Sequence, residues 1–397
     1  MSNYIPRLLI PFLLISTSIS LSSAITFQSA VQTEAALERY RQIEARGGWP
    51  TIPPGPWLCL GSYSERVLAL RHRLRATGDL PPLEPSAQGG SDMTNVNAEM
   101  TFDHEVDQAV RLIQRRHGLY VDGIVGGKTL AALNVPVQDR IRQLQHNLER
   151  WQQPENLGDR YILVNIPDFT LRLIDQNREV WATRVVVGKR KRRTPILRST
   201  IDYLIFNPYW HVPSRIAKQE LLPRAMVAPH FLSEQQMEIV SPDGRVLHPS
   251  SIDWTVVNPH DFPYRIRQRP GAQNALGRVK FMFPNKHSVY LHDTSSPALF
   301  AQAERALSHG CVRVEKPLEL AAYLLQDPER QLWTPEQVAQ VIQRGKHTYV
   351  KLPQPIDVHL VYRTAWADDD GTVQFRLDIY QHDDLPSEAS PILLASQ

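Results

Sequence analysis

The residues best suited to chemistry lie in one short segment, Ser308-His309-Gly310-Cys311-Val312-Arg313. Its cysteine is one of only two in the chain, and a second histidine, His292, lies upstream at the end of a predicted strand. A nucleophilic thiol needs a base within hydrogen-bonding reach and backbone N–H groups that can hold an oxyanion. Gly310 has no side chain, so the amides of Gly310 and Cys311 can approach that oxyanion. The segment and His292 together predict a cysteine nucleophile.

Two histidines are candidates for the base. A free thiol with a pKa of about 8.5 is mostly protonated at neutral pH and needs such a partner. In an extended segment the His309 side chain would share a face with Cys311, although a tight turn at Gly310 would change this. His292 lies on a separate predicted strand and can approach the thiol from the side. The residues alone leave the choice open.

Two residues near Cys311 and His292 have both a functional and an ordinary interpretation. Arg313 carries a fixed charge beside the thiol, which would hold a substrate carboxylate and favour the thiolate, or would form a surface salt bridge. Tyr290 lies two residues before His292 on the same strand face. It would line the site or serve as a core aromatic residue.

This arrangement resembles the active-site motif of the L,D-transpeptidases (YkuD-type catalytic domain), enzymes that cross-link peptidoglycan. The similarity rests on His292, a spacer of fifteen residues (293–307), and then Ser-His-Gly-Cys. It implies that Cys311 is the nucleophile and that His292 is the proton donor and acceptor, forming a thiolate–imidazolium pair with it. It also implies that His309 and Gly310 form the oxyanion site.

The same resemblance suggests how substrate is held. Tyr290, Ser308 and Arg313 are expected to bind it. A backbone or hydroxyl group is expected to orient the catalytic histidine, and Asp293 and Thr294 are the local candidates.

The implied reaction is acyl transfer in two steps, with no metal or organic cofactor. The thiol attacks the carbonyl of the third residue, a diamino acid, of a tetrapeptide stem, and D-alanine leaves. An amine of a second stem then attacks the thioester and gives a 3→3 cross-link, while water would give L,D-carboxypeptidase activity. A lipoprotein amine is a further acceptor that the sequence leaves open. The expected partners are peptidoglycan stem peptides and carbapenem-type inhibitors.

Three other interpretations compete with this one. The first is a zinc site with His292, His309 and Cys311 as ligands. The sequence lacks the Cys-x-x-Cys or His-Glu-x-x-His motif that usually accompanies such ligands. A papain-like protease would place its cysteine ahead of the histidine. A non-catalytic peptidoglycan-binding wall protein is the alternative from another class. It predicts that Cys311→Ala leaves wall binding unchanged.

Composition indicates a globular protein of two or three domains. The chain has 397 residues, of which 42% are hydrophobic and 21% charged. Its formal net charge of +3 does not indicate a nucleic-acid partner. The basic run 189–193 is interpreted as a solvated turn, or as a site of attraction to an anionic wall polymer.

A disulfide bond between Cys59 and Cys311 would consume the nucleophile. Cys59 is therefore interpreted as a small apolar residue, with a regulatory disulfide left open.

Residues 1–24 are predicted to be a secretory signal. They combine one early positive charge, a short apolar run and small residues before Ala24. An uncleaved anchor is the alternative, but the run is interrupted by Pro11, and a membrane span needs about 20 apolar residues. No other stretch is long and apolar enough to span a membrane. The chain is therefore expected to be exported to the periplasm or cell envelope.

A small helical domain is predicted to follow. Residues 25–59 would form an N-terminal helix and linker, and residues 60–136 a three-helix domain with an insertion at 81–100. Sequence motifs such as Arg66-Val67-x-x-Leu70-x-x-x-Leu74 and His117-Gly118-Leu119-x-x-Asp122-Gly123 resemble those of the peptidoglycan-binding-like domain. The alternative is a packing module without a ligand of its own.

The remaining pattern predicts an α+β fold. After a connecting helix at 137–158, strand periodicity indicates a β-rich YkuD-like catalytic domain with sandwich-like sheets at 159–345, completed by C-terminal strands at 346–397. The stretch 212–278 is too long for a bare loop. It resembles the capping subdomain of one branch of the family (YcbB-like). The family motif often continues with asparagine where this chain has Val314.

Overall fold

The computed structural model describes residues 24–82, 97–151, 157–327 and 333–383. Apart from Ala24, the predicted signal segment lies outside the described residues, as does most of the predicted insertion 81–100. Within the described ranges, no helix has both the length and the apolar character needed to cross a membrane.

The N-terminal part is helical, with α1 (Ala24–Ala45), α2 (Glu65–Ala76), α3 (His104–Arg116), α4 (Gly127–Leu133) and α5 (Val137–Trp151). Ser64 and Asp103 begin α2 and α3 by accepting hydrogen bonds from amides of the first turn. The apolar faces of α2, α3 and α4 share one core, in which Leu70 and Leu133 are fully buried. These are the three helices predicted for the small domain.

The strands are β1 (Tyr161–Asn165), β2 (Thr170–Asp175), β3 (Arg178–Gly188), β4 (Leu197–Phe206), β5 (Trp210–His211), β6 (Met237–Val240), β7 (Val246–Leu247), β8 (Arg265–Gln268), β9 (Val279–Met282), β10 (Leu291–His292), β11 (Ala306–Ser308), β12 (Val312–Val314), β13 (Thr348–Val361), β14 (Ala365–Ala367) and β15 (Val373–Phe375). Nine of the described strands form one sheet in the order β11-β3-β12-β10-β9-β4-β13-β1-β2. Because β2 also pairs with β3, the sheet curls and meets itself. The predicted α+β, β-rich architecture is confirmed.

The stretch predicted as a cap is a unit with its own core. Its helical segments are α6 (Ser214–Ile216), a π-helical turn (Ala217–Leu221), α7 (Leu222–Val227) and α8 (Phe231–Glu234). They pack on a four-stranded sheet in the order β5-β8-β6-β7. Leu222, Ile239 and Trp254 lie at the centre of this core. The sheet begins at Trp210, just before the predicted boundary at 212.

Two further helices, α9 (Pro317–Leu324) and α10 (Pro335–Gln343), cover one side of the large sheet. Their buried residues Leu320 and Val338 join the core formed by the apolar face of the strands. This layer leaves the polar side chains of β9, β10 and β12 to point away from the core.

The C-terminal strands divide between two cores. β13 lies between β4 and β1 in the large sheet. β14 and β15 form a separate two-stranded sheet, and Ala365 and Phe375 pack there with Tyr40 of α1 and Leu144 of α5. That the strands after 346 complete the catalytic domain stays a prediction: β13 belongs to the large sheet, and the last two strands pair with each other outside it. The apolar faces of those two strands are buried by helices from the N-terminal part.

Candidate active site

Strand register places the predicted catalytic residues on one face of the large sheet. β10 runs parallel to β12, with His292 opposite Arg313 and Leu291 opposite Val312. Leu291 and Val312 are fully buried in the core. Since side chains alternate along a strand, His292 and Arg313 lie together on the opposite face.

Cys311 immediately precedes β12, the second of these strands. The Val312 amide donates to the Tyr290 carbonyl over 3.1 Å, which places Cys311 beside Tyr290. The Tyr290 and His292 rings meet edge to face, with their centroids 5.6 Å apart. Strand spacing and rise put the Cα atoms of Cys311 and His292 about 8 Å apart. His292 and Cys311 therefore lie on the same face of the sheet, at positions contributed by neighbouring strands.

The backbone of Asp293 orients His292. The Nδ1 atom of buried His292 lies 2.5 Å from the Asp293 carbonyl oxygen. Because a carbonyl only accepts, Nδ1 carries the proton and Nε2 is the basic nitrogen. The Asp293 carboxylate accepts from the amides of Arg278 and Thr294 instead. Burial, and then the charge of Arg313, lower the pKa of His292 to about 3, although backbone carbonyls act in the opposite direction.

The thiol is also held in its neutral form. Burial raises the pKa of Cys311, while hydrogen bonds from Tyr290 and the charges of Lys280 and Arg313 oppose that shift. The Sγ atom lies 3.8 Å from the Ser288 carbonyl oxygen, to which the thiol donates. A thiolate–imidazolium pair was expected, but both shifts favour the neutral pair at rest, since each buried group loses hydration when charged.

Ser308 holds the loop that carries Cys311. Its buried hydroxyl donates to the Cys311 carbonyl over 2.6 Å and accepts from the Gly310 amide over 3.0 Å. Gly310 has a φ of +121°, and its carbonyl accepts from the Thr194 hydroxyl over 2.8 Å.

Two predictions about this loop are therefore wrong in this structure. Ser308 is buried and bonded to the backbone, so it does not face substrate. The Gly310 amide is already hydrogen-bonded, so it is not free for an oxyanion. The Cys311 amide has no protein acceptor within the described residues and is the donor that remains.

His309 faces the cap instead of the oxyanion site, which corrects a third prediction. Its Nε2 atom lies 2.9 Å from Oε1 of Glu220, on the π-helical turn, and Nη1 of Arg192 lies 2.8 Å from the same oxygen. Burial lowers the pKa of His309, and Glu220 opposes this shift. Arg192 belongs to the basic run predicted as a solvated turn, yet its side chain is only 15% exposed. The loop that carries Cys311, the cap and the basic run therefore all contact Glu220.

Two cations complete the polar face, and the sequence indicated only one of them. Lys280 lies opposite His292 on β9, with Nζ 3.7 Å from the centroid of the Tyr290 ring. Burial lowers the pKa of Lys280. The alternation in Val279-Lys280-Phe281-Met282 was the signal, because it predicts a strand with Lys280 on its polar face. Within the described residues, Arg313 makes a 3.4 Å hydrogen bond to a threonine hydroxyl and no ion pair.

The cysteines and histidines do not form a metal site. His309 bonds Glu220, and His292 bonds a backbone carbonyl, so they do not converge with Cys311 as zinc ligands. Across the described ranges, no group of three or more His, Cys, Asp or Glu side chains is placed to hold a metal ion. Both cysteines are free thiols. Cys59 is exposed and is not packed as a small apolar residue.

Two protein-family models match the chain. The YkuD family, described as an L,D-transpeptidase catalytic domain, matches residues 159–373, more than half of the 397 residues. The PG_binding_1 family, described as "Putative peptidoglycan binding domain", matches residues 63–133.

Two curated proteins share parts of the sequence. A "Putative L,D-transpeptidase" of Haemophilus influenzae is 38% identical over 222 residues, which cover 56% of this chain and 44% of that protein. The "N-acetylmuramoyl-L-alanine amidase CwlM" of Mycobacterium tuberculosis is 42% identical over 84 residues, 21% of this chain and 20% of that protein. The chain thus spans less than half the length of either relative.

Similar solved structures include an L,D-transpeptidase from Stackebrandtia nassauensis, at 14% identity with a TM-score of 0.27, covering 79% of this chain and 96% of that one. Another is an L,D-transpeptidase from Xylanimonas cellulosilytica, at 16% identity with a TM-score of 0.23, covering 78% of this chain and 100% of that one. The family assignment does not depend on these distant likenesses. It rests on the match over residues 159–373: the chain belongs to the L,D-transpeptidase family with a YkuD-type catalytic domain.

Proposed function

We propose that this protein forms 3→3 cross-links in peptidoglycan through a thioester on Cys311. The observation that carries the proposal is the shared sheet face, on which Cys311, Tyr290, His292, Arg313 and Lys280 come together from three adjacent strands. His292 and Cys311 also stand in the order and at the spacing of the family motif.

In the first step the neutral imidazole acts as a general base. Nε2 of His292 takes the proton from the thiol as Sγ of Cys311 attacks the carbonyl of the third stem residue. The Cys311 amide donates to the oxyanion that develops. When the tetrahedral intermediate collapses, the C–N bond breaks, and the amine of D-alanine leaves with the proton from His292. A thioester remains on Cys311.

Arg313 and Lys280, which form no ion pair with any residue that the structure describes, suit the charge of the donor. A tetrapeptide stem ends in a carboxylate, and Arg313 is free of ion pairs within the described residues. Lys280 lies against Tyr290 and lowers the pKa of the thiol. We assign carboxylate binding to Arg313 and thiolate stabilisation to Lys280, because charge-assisted contacts are strong in a buried site.

In the second step an acceptor amine attacks the thioester. His292 takes a proton from that amine, the new amide forms, and Sγ leaves and is reprotonated. Water in place of the amine gives carboxypeptidase activity by the same steps. Since one matched family is described as an L,D-transpeptidase catalytic domain and the other as a putative peptidoglycan binding domain, we place this chemistry outside the cytoplasm, in the periplasm or cell envelope.

The test is mass spectrometry of the purified protein incubated with a disaccharide-tetrapeptide. We expect a covalent adduct on Cys311, release of D-alanine, and a dimer joined between two diamino acids. Cys311→Ala should give none of these, while Cys59→Ala should give all three. Release of D-alanine without dimer would assign carboxypeptidase activity instead. No adduct and no D-alanine would exclude both reactions.

A further inference from the structure

A cavity lies between the helical domain and the catalytic sheet. Its volume is about 700 Å³, within the usual range for ligand sites. Neither Cys311 nor any other residue of the polar sheet face lines it. Its walls come from residues 117–129, 167–170, 301–305 and 375–379, together with Trp57 and parts of α4 and α5.

Arg376 fixes the two walls against each other. Its Nε lies 2.6 Å from Asp168 of the catalytic domain, and its Nη1 lies 2.8 Å from the Arg116 carbonyl at the end of α3. Gly118 permits this approach, because an added Cβ would lie 2.7 Å from Cδ of Arg376. The cavity is therefore part of the folded protein and needs no ligand to form.

The helical wall presents large aromatic surface to solvent. Trp57 is 72% exposed and Tyr120 is 71% exposed, and both line the cavity. Exposed aromatic rings beside polar groups suit ligands that have one apolar face and many hydroxyls. A pyranose ring is such a ligand, since its C–H face packs on an aromatic ring while its edge forms hydrogen bonds. Lys128 supplies a donor on the same wall, whereas the Arg305 guanidinium donates to backbone carbonyls of the catalytic domain.

Two buried side chains in the walls have polar atoms without partners. Nδ1 of His117 lies 2.8 Å from the Ile113 carbonyl, so Nε2 is an acceptor, and no described residue bonds to it. Nε of Arg140 also has no partner within the described residues. Buried polar atoms are normally satisfied. Both atoms are shielded from solvent inside the packed walls, where the two side chains lie against the Phe375 ring.

A single polymer can reach both the cavity and the thiol. Arg305 lines the cavity, and β11 leads from it to the loop that carries Cys311. The two residues are six positions apart in sequence, so their Cα atoms are separated by no more than about 22 Å. A stem peptide extends by up to about 3.6 Å per residue, so a stem and the adjoining sugars can bridge this distance.

We propose that this cavity binds the glycan strand of peptidoglycan through Trp57 and Tyr120, while a stem peptide of the same strand enters the active site. The inference rests on the proposed function for its substrate. It assigns the sugars to the cavity between the domains and the peptide to the sheet face.

Binding of stem-free glycan strands to full-length Cys311→Ala protein tests this proposal, because that variant cannot react. We expect saturable binding by titration calorimetry, at least about 10-fold weaker when Trp57→Ala and Tyr120→Ala are added. Trp57→Phe keeps a ring and should retain most of the affinity. Tyr349→Ala removes an aromatic residue that is 59% exposed and does not line the cavity, so its binding should match the parent.

Equal binding by the double aromatic variant, or no binding by the parent, would overturn the proposal. Melting temperatures of all variants check that weaker binding is not unfolding. The two proposals fail separately. If glycan binds here but Cys311 never forms an adduct, the proposed function alone is wrong. If adducts form but the aromatic variants bind glycan normally, the cavity assignment alone is wrong.

Discussion

The two histidines of the motif lie in regions of opposite character. His292 is buried in the sheet, and its ring is fixed by a backbone carbonyl that cannot move without the strand. His309 lies in a loop, and its ring is fixed by Glu220, a side chain of the separate cap. A backbone partner defines one tautomer, whereas a partner on another subdomain makes the contact depend on where that subdomain sits. The first histidine is suited to proton transfer, and the second to sensing the cap.

The largest expected effect comes from replacing each histidine with glutamine. His292→Gln removes the base and should slow acylation of Cys311 by about 10²–10⁴-fold. His309→Gln should slow it by less than about 10-fold, because that ring does not face the reacting atoms. The measurement is the rate of adduct formation with a tetrapeptide donor or a carbapenem, followed by mass spectrometry. Equal losses in both variants would remove the distinction.

Stability against pH sharpens the same comparison. The pKa of His292 is lowered from 6.5 to about 3 in the folded protein, so its neutral form contributes stability that is full above pH 6.5 and is lost as pH falls toward 3. Between pH 7 and pH 5 this group alone should reduce the free energy of unfolding by about 2 kcal/mol.

The control for this prediction is His292→Gln, which should lack that part of the pH dependence. Urea unfolding at the two pH values gives the difference between the proteins, in which other titrating groups cancel. If both proteins lose the same stability, the pKa of His292 is not depressed.

Lys280 tests whether a fixed cation supports the thiol. Lys280→Gln should slow acylation at pH 7 by about 10-fold, because the charge that lowers the pKa of Cys311 is lost. Raising the pH should recover part of the loss, since more of the thiol then ionises. Lys286→Gln, at an exposed position outside the polar face, is the matched control and should react like the parent. A pH-independent loss would instead indicate a role in binding.

The smallest effect concerns the contact between the loop and the cap. In a double-mutant cycle, Glu220→Gln and His309→Gln should show a coupling of about 0.2–1 kcal/mol, because both side chains are partly exposed and screened. The coupling should shrink at high salt. It is measured from acylation rates of the two single variants and the double variant. Strict additivity at low salt would show that the pair does not act together.

Sequence patterns predicted the features that depend on residues close together in the chain. The alternation around His292 predicted its strand, and the motif around Cys311 identified this residue as the candidate nucleophile. The direction of His309 could not be predicted, because it depends on a φ of +121° at Gly310 and on Glu220, which is distant in sequence.

The remaining differences from the sequence-based predictions have the same origin. Nothing near Ser308 shows that its hydroxyl serves the backbone of its own loop. The pairing of β14 and β15 with α1 and α5 requires knowledge of which apolar faces are left unburied elsewhere. The cavity beside Trp57 exists only because two domains pack, so no single segment encodes it.

The position of β13 determines when the large sheet can be completed. This strand pairs with both β1 and β4, and Tyr161 meets Asp357 from nearly the other end of the domain. A chain that stops before Thr348 leaves two central strands with unpaired edges, which favour aggregation. Contacts of such long sequence separation also form slowly. During synthesis, the thiol therefore acquires its ordered surroundings only after residue 361 has been made.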